Sequence, residues 1–174
     1  MNNKQSPISD QQSVPLYSHN GDTLSLSRTA LVGLCQDILG KGLTFRFSAP
    51  GPSMSPFIRN GDIITLAPVQ PVAYRLGDVV AFVQPGTERL VVHRVVGVSP
   101  DGCRIRGDNS LEDDGVIPHA CILGQAIRVE RNGKKVRVGL GPERKIIALL
   151  SRQRLLPWCV GAAAAVLSGI RRLT

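Results

Sequence analysis

From Leu43 to Val138 the chain is divided into short runs of β-branched and other apolar residues by recurrent Gly, Pro, Asn and Asp, and this punctuation restricts the fold more than any other feature. The runs are Leu43 to Phe47, Asp62 to Leu66, Asp78 to Val83, Leu90 to Val98, Cys103 to Arg106, Cys121 to Glu130 and Lys135 to Val138. Short strands with turn signals between them read as an all-β sandwich or barrel, since β-branched side chains suit a pleated surface. Arg131-Asn132-Gly133-Lys134 carries the Asn-Gly pair of a tight hairpin, whose central residues need positive φ. Gly61-Asp62 and Gly77-Asp78 each precede a Val/Ile run, with Gly supplying the turn and Asp capping it; both read as structural.

The flanks do not share this pattern. Residues 1–22 are rich in Asn, Gln, Ser and Pro and lack the charged start and hydrophobic stretch of a secretory signal peptide, so they are expected as a disordered polar tail. In residues 23–42, Leu24, Leu31, Leu34, Cys35 and Ile38 recur near helical spacing and Gly40 stands at a C-terminal cap, which predicts one amphipathic helix. Arg28 and Asp37 make it too polar to span a bilayer. Residues 43–140 form the expected β domain, and 143–173 a C-terminal helical segment in which Ala162 to Ala165 favour helix and Pro157 breaks or starts one. Its uninterrupted apolar stretch, Leu155 to Ile170, would rise about 24 Å as a helix, against a hydrocarbon core of roughly 30 Å. Trp158 and Arg171-Arg172 are residue types found at the two headgroup levels, so an anchor or interfacial helix is expected. Packing on the β domain or on a second subunit is the alternative.

With 174 residues and 43% hydrophobic content, the chain suits one domain with a real core plus short accessory segments. A net charge of +8 attracts anionic surfaces, and the placement of that charge chooses between them. From Arg128 to Arg154 nine basic residues stand against two acidic ones, directly before the apolar stretch, which favours phospholipid headgroups over nucleic acid. An aromatic content of 4% leaves little to stack on bases. Membrane association is expected, on a side the sequence leaves open, with a cytoplasmic protein as the alternative and no nucleic-acid partner. Cys35, Cys103, Cys121 and Cys159 form no C-x-x-C pair and have no His at ligand spacing, so they read as small buried hydrophobes rather than metal ligands or disulfides.

Chemistry concentrates around Gly51-Pro52-Ser53-Met54-Ser55-Pro56. A serine on a Gly/Pro-shaped turn can expose its hydroxyl, but the hydroxyl is a weak nucleophile until a base takes its proton. Between Leu43 and Gly133 there is no lysine, which leaves His93 and His119 unless Lys41, Lys134 or Lys135 folds back. His93, within Val92-His93-Arg94-Val95, lies on a predicted strand, whereas His119 follows Pro118 in a loop; a strand holds a base more rigidly. A His base needs a carboxylate or carbonyl on its other nitrogen. Asp108, Glu112, Asp113 and Asp114 cluster in one loop as candidates, and at least one is expected to serve an Asx-type turn instead.

Gly51-x-Ser53-Met54-x-Pro56, the Gly61-Asp62 strand start, Gly77-Asp78-Val79-Val80-x-Phe82, His93-Arg94-Val95 and Gly107-Asp108-Asn109 with Asp113-Asp114 resemble, in order, the motifs of the type I signal peptidases over about residues 46–130. His at the base position resembles the endoplasmic-reticulum and archaeal branch rather than the bacterial branch, which carries Lys. The resemblance implies a mainly β, signal-peptidase/LexA-like core and a serine endopeptidase that cleaves a leader or signal peptide after small residues. It implies Ser53 as nucleophile, His93 as general base and then acid, and Asp114 as the residue orienting His93, with Asp108 as competing third member or loop support. The Ser53 N–H would serve the oxyanion hole; Pro52 has no N–H, and Gly51 stands where some relatives place a hydroxyl. Met54, Phe57 and Ile58 would be core or an apolar substrate wall, and substrates would add as a strand to a β edge. No metal or organic cofactor is implied, since acyl transfer needs only side chains and backbone donors. These relatives usually carry an N-terminal membrane anchor, whereas here the apolar segment is C-terminal, and the positive-inside tendency would leave the catalytic domain cytoplasmic. Two other readings share the pattern: a LexA-type self-cleaving repressor, against which the missing core lysine weighs, and a non-catalytic peptide-binding scaffold.

Overall fold

Short strands cannot leave their backbone N–H and C=O groups unpaired in a core, so they pair edge to edge. The computed structural model, which describes residues 14–17, 23–69, 73–87 and 89–156, shows them doing so in a mainly antiparallel arrangement. The elements are β1 (Val14–Tyr17), β2 (Thr23–Leu26), α1 (Arg28–Gly40), β3 (Phe45–Ser48), β4 (Ile63–Ala67), β5 (Val79–Gln84), β6 (Arg89–Ser99), β7 (Gly102–Arg106), β8 (Gly115–Pro118), β9 (Ile122–Arg131), β10 (Lys134–Lys135) and α2 (Arg144–Arg152). The main sheet runs β3-β4-β9-β5-β6-β7-β8 with β10 beside β9, and it curls into a half-barrel. The Asn-Gly turn forms as read: Asn132 and Gly133 both have positive φ, and Lys134 pairs with Arg131.

Each face of the sheet carries a core. On one, Leu31, Cys35 and Leu39, four residues apart along α1, pack on Phe45, Phe47, Ile64, Leu66, Val79 and Val129. Burial there pushes the Cys35 thiol up to about 12, in keeping with an inert apolar role. On the other face, Val80, Phe82, Val95, Ile105 and Ile117 close against Tyr74 and Ile122. Both Gly-Asp pairs are turns of one design. Asp62 accepts from the Arg59 N–H at 2.8 Å and Asp78 from the Arg75 N–H at 2.9 Å, while Gly61 and Gly77 hold φ of 85° and 93°.

Several boundaries differ from the sequence reading. Thr23–Leu26, expected as the first turn of the helix, is a strand paired with Val14–Tyr17, which was expected to lie in the disordered tail. The helix starts later because the Ser27 hydroxyl caps it, accepting from the Ala30 N–H at 3.3 Å. It also ends later: Gly42, with φ of 77°, donates to Leu39 O while the Leu43 N–H reaches back to Ile38 O, the paired bonds of a Schellman cap. β8 went unread because Gly115–Pro118 is short and contains proline. In the C-terminal segment the described helix is α2, which buries Ile147, Ala148 and Ser151. Residues 157–174, with most of the proposed anchor, lie outside the described residues, and no helix among the described residues is long and apolar enough to cross a membrane.

Arg94, 0% exposed, ties these parts together. Its Nε and Nη2 donate to the two Asp108 carboxylate oxygens at 2.8 and 2.7 Å, and its Nη1 donates to Gly77 O and Gly139 O at 2.9 and 2.8 Å. The guanidinium lies 5.7 Å over the Phe57 ring. Gly139 is held in turn by Glu143 at the start of α2, whose carboxylate accepts from the Gly139 and Gly141 N–H groups. Because a buried charge without its partner is costly, Arg94→Ala and Asp108→Ala should each lower unfolding free energy by about 3–5 kcal/mol, read from urea denaturation. Asp62 sets an acid limit. Burial disfavours its charge, but the Arg131 guanidinium and the Arg59 N–H outweigh burial and hold its carboxyl below the usual range. A lowered folded pKa gives stability that is present above the unfolded value of about 3.9 and lost as pH falls through the folded one. The melting-temperature gap between wild type and Asp62→Asn should therefore be widest near neutral pH and close in acid below about pH 4.

Candidate active site

Between β3 and β4 the chain turns through Gly51, whose φ is 78°, and carries Ser53, which is half-buried. The turn is fastened on several sides. The Gly51 N–H donates to the Asn60 side chain at 2.9 Å, and Ser53 O accepts from the Asn109 N–H at 2.7 Å. Met54 and Ile58 are buried in the core beneath α1, and the Met54 sulfur accepts weakly from the Asp108 N–H at 3.5 Å. Apolar anchors directly after the half-buried serine restrict the direction of its hydroxyl.

His93 comes from the middle of β6, where Val80 of β5 is its cross-strand partner and Phe82 lies 6.3 Å from its ring. Its Nε2 is 2.9 Å from Ser53 Oγ, and its Nδ1 is 2.6 Å from Asp114 Oδ2. The Asp114 carboxylate can only accept, so Nδ1 carries the proton and Nε2 is left as acceptor for the serine O–H; the tautomer is assigned from this network. His93 is 8% exposed, and apolar Phe82 beside it lowers the local dielectric in which the Asp114 carboxylate acts. Asp114 is itself placed by its N–H, which donates to Ile105 O at 3.1 Å, and by neighbouring Asp113, which accepts from Gly115 N–H and pairs with Arg104 at 2.8 Å.

The candidates thus separate by geometry. Ser53, His93 and Asp114 meet; Asp108 does not, because both its oxygens are taken by Arg94, and its carboxylate belongs to the buried ion pair rather than to the imidazole. Of the other acids, Asp113 makes the Asx-type contact and Glu112 is exposed. His119 lies in a short 3-10 turn, stacked on Tyr74 and hydrogen-bonded to Ser99 O, away from Ser53. No lysine borders the cleft at Ser53. Among the described residues, no group of His, Cys, Asp or Glu could hold a metal ion.

Gly107 was missed as a site residue. A Cβ there would sit 2.9 Å from His93 Nε2 and 2.8 Å from Ser53 O, and closer still to Ser110 Oγ. Glycine at this position therefore lets Ser53 and His93 approach each other. Arg94 was also missed, although a lone arginine among valines in a predicted strand signals a buried charge that needs a carboxylate.

Ser53 borders a cleft of about 330 Å³ whose walls include Ala49, Met54, Ile58, Ile64, Leu90 and Val92. β7 pairs with β6 only from Arg94 onward, so the Arg89–His93 stretch of β6, which also borders the cleft, has no partner strand on that side among the described residues. The arrangement can deprotonate a hydroxyl, hold the resulting imidazolium and offer backbone groups to an extended chain. Comparison with protein families and with curated proteins finds no match to this chain. The short Nδ1–Asp114 bond should give a far-downfield proton resonance in NMR spectra of the wild type. That resonance should persist in Ser53→Ala, shift in Gly107→Ala and vanish in Asp114→Ala.

Proposed function

We propose that the protein is a serine endopeptidase of the signal-peptidase type, with a signal-peptidase-like β core, that cuts a leader or signal peptide after small residues. The observation that carries this reading is the continuous hydrogen-bonded chain from Ser53 Oγ through His93 to Asp114 at the mouth of an apolar cleft. A peptide laid along the open edge of β6 would be held by backbone bonds, with its side chains against the cleft walls. Ala49, Met54 and Ile58 line the wall beside Ser53 and favour a small apolar residue at the cut.

In this mechanism Ser53 Oγ attacks the scissile carbonyl carbon while His93 Nε2 takes its proton. Asp114 stabilises the imidazolium through Nδ1–H without itself becoming protonated. In this reading the Ser53 N–H would donate to the developing oxyanion. As the C–N bond breaks, Nε2–H returns its proton to the leaving amine, leaving an acyl-serine. Water then adds to the ester carbonyl, His93 takes a water proton and returns it to Ser53 Oγ, and the carboxylic acid product departs.

Support for action at a lipid surface comes from α2, where Ile146 and Leu149 are exposed beside Lys145 and Arg152. A leader-peptide library treated with wild type and variants tests the reading. Wild type should cut after small residues, and Ser53→Ala, His93→Ala and Asp114→Asn should each lose about a thousandfold or more in kcat. Asp108→Asn should instead lose stability and keep kcat per folded molecule within about tenfold. Peptide binding without turnover by wild type would replace this reading with that of a non-catalytic scaffold.

A further inference from the structure

The cleft that holds Ser53 is apolar along most of its length but ends in a cation. Arg89 lines it at the start of β6, directly across the ladder from Gln84 at the end of β5, which lines it as well. Side chains alternate along a strand, so Arg89, Val91 and His93 fall on one face, and the spacing from Arg89 to His93 is about 13 Å. An extended peptide with its carbonyl at Ser53 therefore brings the side chain about four residues from the cut to the level of Arg89.

The polar groups at that end suit an anion. Arg46, Arg94, Arg104, Arg128, Arg131 and Arg144 are each paired with a carboxylate, whereas no ion pair among the described residues uses Arg89. The Gln84 amide oxygen accepts from the Thr87 hydroxyl at 3.1 Å, and the NH₂ end of the amide can only donate. Among the described residues the one carboxylate lining the cleft, Asp114, is engaged by His93.

We infer that this cleft selects peptides bearing Asp or Glu about four residues from the cleaved bond, and that Arg89 is the specificity-determining residue. The inference rests on the peptidase reading for the location of the cut, but its test does not require turnover. Fluorescence anisotropy on full-length Ser53→Ala would compare peptides carrying Glu, Gln or Lys at positions three to five on either side of a small-residue junction. Glu should bind about threefold to fivefold more tightly than Lys at one of these positions, with Gln between, and the difference should shrink as salt is raised. Arg89→Glu should invert the order, while Arg128→Glu, which changes net charge equally on a residue outside the cleft, should not. Equal binding of Glu and Lys peptides at every position, or an equal effect of Arg128→Glu, would overturn the inference. Wild-type turnover of the same peptides separates the two ideas: charge-selective binding without cleavage sinks the peptidase reading alone, and cleavage without charge preference sinks the selectivity alone.

Discussion

A fully buried guanidinium is tolerable only if its donors are met, and the arrangement that meets those of Arg94 organises the fold around the candidate site. The side chain reaches the Asp108 loop, the turn before β5 at Gly77 and the segment leading to α2 at Gly139. Each is irregular backbone that no strand ladder would position. Because the bonds to Asp108 are bidentate and charge-assisted, they fix orientation as well as distance. Asp108 carries Gly107 and Asn109 on either side, so the pair also settles how closely that loop approaches Ser53 and His93.

Placement of Ser53, His93 and Asp114 follows a division of labour between strand and loop. His93 is held by the ladder of β6, whereas Ser53 and Asp114 arrive on loops that are each anchored at neighbouring positions. Met54 and Ile58 fasten the serine turn into the core, and Asp113 fastens the acid loop to Arg104 and to the Gly115 N–H. In both loops the residue that bonds His93 stands next to one that is fixed, which gives loop residues the precision usually associated with regular elements.

Much of the sheet was legible because β-branched runs and Gly-Asp or Asn-Gly turns are local signals: β4, β5, β6, β7 and β9 fall within a residue or two of the runs that announced them. Strand β8 carries no such pattern, and the pairing of Val14–Tyr17 with Thr23–Leu26 depends on partners rather than on composition. The Ser53 turn, the strand position of His93 and the acid cluster were readable as chemistry. Which acid meets His93 was not, since Asp108 and Asp114 sit in the same loop and only the buried demand of Arg94 separates them. Gly107 escaped notice for a similar reason: the importance of a missing side chain becomes visible only when its neighbours are in place.

The adjacency of His93 and Arg94 has a further consequence. Consecutive residues of a strand face opposite ways, so a slip of β6 by one residue against β5 would turn the imidazole to the opposite face of the sheet and put Arg94 in its place. The main irregularity of β6, the register shift between Val95 and Gly97, lies beyond both residues and leaves their pairing with Val80 and Val79 intact. The connection from Gln84 to Arg89 thus works as a counting device. Its length has a parity as well as a size, and descendants of this chain can shift that register by one residue only by surrendering the side of the sheet on which His93 sits.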